Sequence, residues 1–306
     1  GVSTQLSSSA TAGTNFSTQP VFLIQDTFSN TVTGDSSTQV TLAVVLSSDG
    51  TTAGSGTLNA TTNPVTASSG VATFAGVNYT KIEDIKLKAT ATGLTQILTN
   101  TISVSAAAAS KLSFSTQPSS SATAGTNFST QPIIQILDAY DNLTSGTNTV
   151  TLSAVLSSDG TTAGEGTLNA TTNPLSASAG IATFGGMNYT SAESIKLKAT
   201  ATSLTPALST TITVSALTIS SVATSLTSSN ATITWTTNTN TSSKVDYGLT
   251  NSYGSSTTET DTSPRVTSHS VTISSLVACT TYHYRVRSTT AGGNETIDTD
   301  NTFSTT

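Results

Sequence analysis

The chain has 306 residues and a mass of 30.8 kDa, with only 8% charged and 5% aromatic residues, against about 25% charged in an average globular protein. Ten Lys and Arg against 16 Asp and Glu give a formal net charge of −6 and a pI near 4.7, while 118 residues are Ser or Thr. With no basic stripe to neutralise phosphates, a single Cys, two His and no acidic cluster, the composition argues against a nucleic-acid partner, a cofactor, a metal site and metal or thiol catalysis.

Chains rich in Ser, Thr and Pro often fail to bury enough apolar surface to fold. Here the apolar residues fall in short runs of period two, such as Val40-Thr-Leu-Ala-Val-Val-Leu46 and Ile85-Lys-Leu-Lys-Ala89, which describes half-buried strands in an all-β protein. No apolar run approaches the ~20 residues that span a bilayer, and no charged segment followed by an apolar one opens the chain. The sequence therefore reads as a mature, soluble protein or as a piece of one, without a membrane span.

In chain order, Gly1–Leu6 reads as a cut first strand. Ala10–Pro20 then recurs letter for letter as Ala122–Pro132, and after a two-residue deletion Ser47–Gly54, Gly56–Pro64 and Ile85–Thr92 recur as Ser157–Gly164, Gly166–Pro174 and Ile195–Thr202. Two copies of one unit follow each other, over residues 1–107 and 108–216. Such a period is too long for a solenoid repeat and fits a β-sandwich of ~100 residues. About seven strands per copy are expected, punctuated by the turns Asp26–Asn30 and Asp138–Asn142, by Asp159-Gly160, by Asn173-Pro174 and by Ala179-Gly180. The Ile-Lys-Leu-Lys alternation places Ile195 and Leu197 inward and Lys86, Lys88, Lys196 and Lys198 in water, away from any crosslinking chemistry in a dry core.

The second copy opens with Lys111-Leu-Ser-Phe-Ser-Thr-Gln-Pro118 and carries the Asp138–Asn142 turn after its second strand. In this it resembles the bacterial immunoglobulin-like repeats of secreted and surface proteins. The first copy departs from that pattern. Val2 stands where Phe114 stands and nothing stands where Leu112 does, so the chain either continues upstream or takes a strand from a neighbour.

Residues 217–306 resemble a fibronectin type III domain. Ala231-Thr-Ile-Thr-Trp235 carries the core Trp, Lys244–Gly248 is the next strand, His269–Leu276 leads to a corner, and Thr281–Arg287 holds Tyr282 at the tyrosine-corner position. Ala278 and Cys279 replace the usual Pro and small residue there, so a looser corner is expected. Tyr247–Gly254 and Gly292–Glu295 are most similar to the module that precedes purple acid phosphatase catalytic domains, yet no Gly-Asn-His or Gly-His-x-His string of that enzyme is present.

Single residues divide between chemistry and structure. Cys279 is the only thiol, available for a link between molecules or inert in its turn. His269 and His283 make an underfilled zinc set, and Asp26, Asn30, Asp138 and Asn142 offer too few oxygens for calcium, so turn formation accounts for them better. Asn-x-Ser/Thr occurs at Asn15, Asn59, Asn78, Asn127, Asn142, Asn169, Asn188, Asn230, Asn240 and Asn294, marking candidate glycosylation sites on a surface short of charge. The expectation is three β-sandwiches in an elongated array at the cell surface. It is a non-enzymatic subunit of a prokaryotic filament or surface layer that associates with itself and contacts cell-surface glycans. The alternatives are the stalk of an adhesin and accessory modules of a secreted hydrolase.

Overall fold

The computed structural model describes all 306 residues, and every regular element is a β-strand. In the first sandwich one sheet runs Ser9–Thr11, Ile102–Ser105, Asp84–Thr90, Gln39–Leu46, Val65–Thr66, with Ser9–Thr11 parallel to its neighbour. Facing it are Val21–Leu23 and Val71–Thr73. Gly1 and Ser3 extend that second layer, since Leu23 N–H donates to Gly1 O at 2.8 Å and Ser3 N–H to Val21 O at 2.9 Å. The second sandwich repeats the order as Ser121–Thr123, Ile212–Ser215, Ser194–Thr200, Thr149–Leu156, Leu175–Ser176, opposite Lys111–Thr116, Ile133–Leu137 and Ile181–Thr183. In the third, Ile219–Leu226, Ala231–Thr241 and Val266–Ile273 face Ser255–Ser256, Lys244–Gly248, Thr281–Thr289 and Glu295–Ile297.

The alternation read from sequence is the alternation that packs. Ile85, Leu87, Ile195 and Leu197 are fully buried, and the lysines between them are half-exposed on the outer face. Each sandwich has its own apolar core, around Phe74 and Tyr79, around Phe184 and Tyr189, and around Trp235 and Val286.

The first two sandwiches are cut into more strands than the seven expected, ten in the first and eleven in the second. Two local causes account for much of this. The last strand of each copy breaks where a hydroxyl replaces a backbone acceptor: Leu87 N–H donates to Thr99 Oγ1 at 2.9 Å, and Leu197 N–H to Ser209 Oγ at 2.8 Å. An additional two-residue ladder also forms in each copy, Leu58–Asn59 with Asn78–Tyr79 and Leu168–Asn169 with Asn188–Tyr189.

The corner of the third sandwich is not loosened by Ala278 and Cys279. Val277 N–H donates to Tyr282 Oη at 3.1 Å, because Cys279 adopts φ 50° and closes the turn without a proline. Trp235 is buried, with its indole N–H on Ser288 Oγ at 2.9 Å and its ring stacked on His269 at 4.9 Å.

Candidate functional site

The ten Asn-x-Ser/Thr positions are where structure and sequence diverge most. Six of them form two matching ladders. Asn59 Nδ2 donates to Asn78 Oδ1 at 2.9 Å, and Asn78 Nδ2 to Asn15 Oδ1 at 3.0 Å. In the second copy Asn169 donates to Asn188 at 3.0 Å and Asn188 to Asn127 at 3.1 Å. Carboxamides are self-complementary, one end donor and the other acceptor, so three in a row tie segments far apart in sequence. Asn188 is buried, and its amide nitrogen donates within the ladder.

Two more of the ten hold the sandwiches together. Asn142 is 1% exposed; its Nδ2 donates to Thr80 O of the first sandwich at 2.8 Å and its Oδ1 accepts Ile82 N–H at 3.2 Å. A glycan there would take one of the two amide hydrogens, both of which are bonded, to Thr80 O and to Asp138 Oδ2. At the second joint Asn294 Nδ2 donates to Thr190 O at 2.6 Å, and Gly292 N–H to Gly125 O at 3.1 Å. Thr80 and Thr190 are equivalent residues of the two copies, each in the loop before the strand Asp84–Thr90 or Ser194–Thr200. Both joints thus set an asparagine amide of the next sandwich on the same carbonyl. No hydrogen bond links the first sandwich to the third, so the joints are serial.

Glycines let the next domain approach. Gly13 and Gly125, with φ 72° and 75°, are equivalent residues. A Cβ on Gly13 would lie 2.0 Å from Tyr140 Oη, and one on Gly125 would lie 2.5 Å from Asn294. A side chain at either place would meet both a strained backbone and the neighbouring sandwich.

The Asp138–Asn142 turn is prepared by its own hydrogen bonds. Asp138 Oδ1 accepts Tyr140 N–H at 2.8 Å and Asn142 N–H at 2.9 Å, while Oδ2 accepts Asn142 Nδ2 and Ala107 N–H, both at 2.9 Å. Burial acts to raise the Asp138 carboxyl, but the bonds from Asn142, Ala107 and Tyr140 outweigh it and hold the group below the usual carboxylate range. Lys111 Nζ pairs with Asp141 at 2.8 Å beside this turn. These bonds account for the acidic and amide side chains of the turn without calcium.

The remaining candidates stay apart from one another. His269 is 3% exposed among hydroxyls, with Ser243 Oγ on Nδ1 at 2.7 Å and Thr237 and Thr241 on Nε2 at 2.9 and 3.2 Å. Burial pushes its pKa down, against the opposing charge of Asp261. Asp261 bonds Ser243 rather than the imidazole, and Ser243 and His269 are buried, so the Ser, His and Asp form a packed hydrogen-bonded network. His283 lies on the outer face and pairs with Asp300 at 2.8 Å. Asp246, almost buried, takes Arg285 at 2.9 Å and Arg287 at 3.4 Å. No three His, Cys, Asp or Glu converge anywhere in the chain. Cys279 is exposed in its turn. Asn15, Asn59, Asn127 and Asn240 are exposed and Asn230 is partly so.

Residues 216–306, less than a third of the chain, match the family model described as the purple acid phosphatase N-terminal domain. No curated protein matches. Among solved structures, chicken CNTN1 FN1–FN3 is 10% identical over 93% of this chain and 97% of that one, with a TM-score of 0.33. Drosophila OTK extracellular domains 3–5 is 10% identical over 100% and 96%, with a TM-score of 0.30. The Yersinia pseudotuberculosis adhesin InvE is 16% identical over 63% and 58%, with a TM-score of 0.26. Likenesses this distant carry no statement about function. The chain is a tandem array of immunoglobulin-like and fibronectin III-like sandwiches, in which residues 216–306 are similar to the N-terminal domain of purple acid phosphatases.

Proposed function

We propose that the chain is a non-enzymatic, extracellular structural protein, a subunit of a prokaryotic surface filament or surface layer that associates with itself. The observation that carries this reading is the repeated joint, in which one loop of each preceding sandwich meets an asparagine of the next. A contact used in series makes a rigid spacer, and its chemistry, backbone and amide rather than charge, suits a surface with 8% charged residues. Sugar on Asn15, Asn127, Asn230 or Asn240 fits the same setting, as does contact with cell-surface glycans. Negative-stain microscopy of native material tests the assembly, with filaments or a lattice as the expected result; dispersed single rods under native conditions would overturn it. Intact mass tests the sugar.

A second reading, accessory modules of a secreted hydrolase, is favoured by the family match of residues 216–306. A catalytic domain encoded in the same reading frame would establish it in place of the first.

A further inference from the structure

The second joint carries a cleft that two sandwiches form between them, so both of its walls belong to the chain. It encloses 430 Å³ and is walled by Thr126 and Asn127 of the second sandwich and by Thr239, Asn240 and Arg265 of the third. Pockets for small molecules begin at about 300 Å³, so the space exceeds what a bare ion fills. The third sandwich builds its wall from a bulge: the strand Ala231–Thr241 pairs Thr236 with Ser268 and Thr241 with Val266, so residues 237–240 leave the ladder. His269 supports that bulge from beneath through Thr237 and Thr241. The groove at the first joint is a different surface, lined by Ile82, Leu143 and the run Ala106–Ala109. Thr14 and Asn15, the equivalents of Thr126 and Asn127, take no part in it, so the loops of the third sandwich are what make the cleft.

Hydrogen-bond donors dominate this lining. Arg285 and Arg287 are paired with Asp246 and Glu295, whereas Arg265 has no carboxylate partner. Its Nε donates to Thr289 O at 3.2 Å and its Nη1 to Thr262 O at 3.0 Å, which fixes the plane of the guanidinium and leaves Nη2 without a protein acceptor. Asn127 uses only its carbonyl end, Oδ1 accepting Asn188 Nδ2 at 3.1 Å, and Asn240 is exposed with its carboxamide unbonded. No aspartate or glutamate lines the cleft to repel an anion. A guanidinium held in one orientation presents an edge that fits a carboxylate. Carboxamides and hydroxyls, each donor and acceptor, fit the hydroxyls of a sugar ring. One unpaired cation in a chain of net charge −6 suits a single negative charge and opposes a polyphosphate.

We propose that the cleft of the second joint binds a saccharide bearing a carboxylate, a uronic-acid unit of a surface polysaccharide. Arg265 donates from Nη2 to the carboxylate, while Asn127, Asn240 and the hydroxyls of Thr126 and Thr239 bond the ring hydroxyls. Because the site spans the joint, the bound sugar also ties the second sandwich to the third. The proposal rests on the glycan contact in the reading above and specifies the class of sugar and the residues that hold it.

The test titrates the full, unglycosylated chain with trigalacturonic acid, its methyl ester and inorganic phosphate by isothermal titration calorimetry. The acid should bind in the millimolar range or tighter, and the ester and phosphate about tenfold more weakly or worse. Asn127→Asp brings a negative charge into the cleft yet keeps the oxygen that accepts Asn188; Asn15→Asp makes the same change in the matching ladder, where that oxygen accepts Asn78 outside the cleft. Asn127→Asp should lose about tenfold or more in affinity, and Asn15→Asp should bind as the unaltered chain does. Arg265→Lys keeps the charge without the fork and should also lose about tenfold. A melting curve checks that each variant folds. An acid that fails to bind, an ester or phosphate that binds as tightly, or Asn127→Asp binding as well as Asn15→Asp overturns the cleft. A glycan found on Asn127 or Asn240 of native material overturns it as well, since the attached sugar would occupy the same space. An array of neutral and acidic saccharides tests the wider reading: no binding to any of them overturns both, while binding there that survives Asn127→Asp overturns the cleft alone.

Discussion

Replacing Asn142 with Ala tests the joint against its own internal control, because Asn30→Ala makes the same change in the same turn without a neighbouring sandwich. Both substitutions remove the amide bond to the turn aspartate, 2.9 Å at Asp138 and 3.1 Å at Asp26. Only Asn142→Ala also removes the bonds to Thr80 O and Ile82 N–H. A net 0.5–1.5 kcal/mol per hydrogen bond makes the difference about 1–3 kcal/mol. In a serial array such interface energy adds directly to the stability of the sandwiches it joins. For a unit of about 100 residues this lowers Tm by roughly 5–15 °C more for Asn142→Ala than for Asn30→Ala. Differential scanning calorimetry reads the shift, and hydrogen exchange at the Ile82 amide localises it, with protection lost in Asn142→Ala alone. Equal shifts for the two variants, with Ile82 protected in both, would refute the claim that Asn142 carries the joint.

Three further outcomes follow from the same geometry. Tyr282→Phe removes the acceptor of Val277 N–H and should cost about 1 kcal/mol in urea denaturation followed by Trp235 fluorescence. An unchanged midpoint would mean the corner is held by packing. Asn188→Ala cuts the ladder of the second copy at its centre, removing one bond on each side, and should destabilise that sandwich by about 1–3 kcal/mol while leaving the third sandwich's fluorescence transition in place. For His269, burial holds the folded pKa below the unfolded value of 6.5. The unfolded chain therefore binds the proton first, and the third sandwich should lose stability as pH falls below about 6.5. Melts followed by Trp235 at about pH 7.5 and about pH 5.5 should differ, and His269→Gln should flatten that dependence; a loss equally steep in the variant would assign it to other groups.

Much of the fold was legible because its signals are local. Strand alternation needs only neighbours in sequence, so Ile85-Lys-Leu-Lys and Thr281-Tyr-His-Tyr reported their buried and wet faces without reference to anything distant. The copy boundaries came from identity between segments, and Tyr282 from a motif whose partner lies five residues away. The ladders had no such signal. Asn15 and Asn78 are 63 residues apart, and Asn142 and Thr80 are 62 apart. An asparagine that donates to a distant carbonyl reads in sequence the same as one that carries a sugar. The ten Asn-x-Ser/Thr positions are visible in the sequence; that eight of them sit in ladders and joints is not.

By itself the sequence determined three all-β units, their order, the period that makes two of them copies, and a surface of hydroxyls with little charge. Those features depend on residue type and spacing, which the chain carries along its length. Only the tertiary structure decided which asparagines face water, which turn is covered and which stands open. Asp26–Asn30 and Asp138–Asn142 share their first and last residues and the same internal bonds, yet one is open and the other covered by what the fold brings against it. Burial and partnership are properties of the space around a residue, and that space is filled by segments 60 or more positions away.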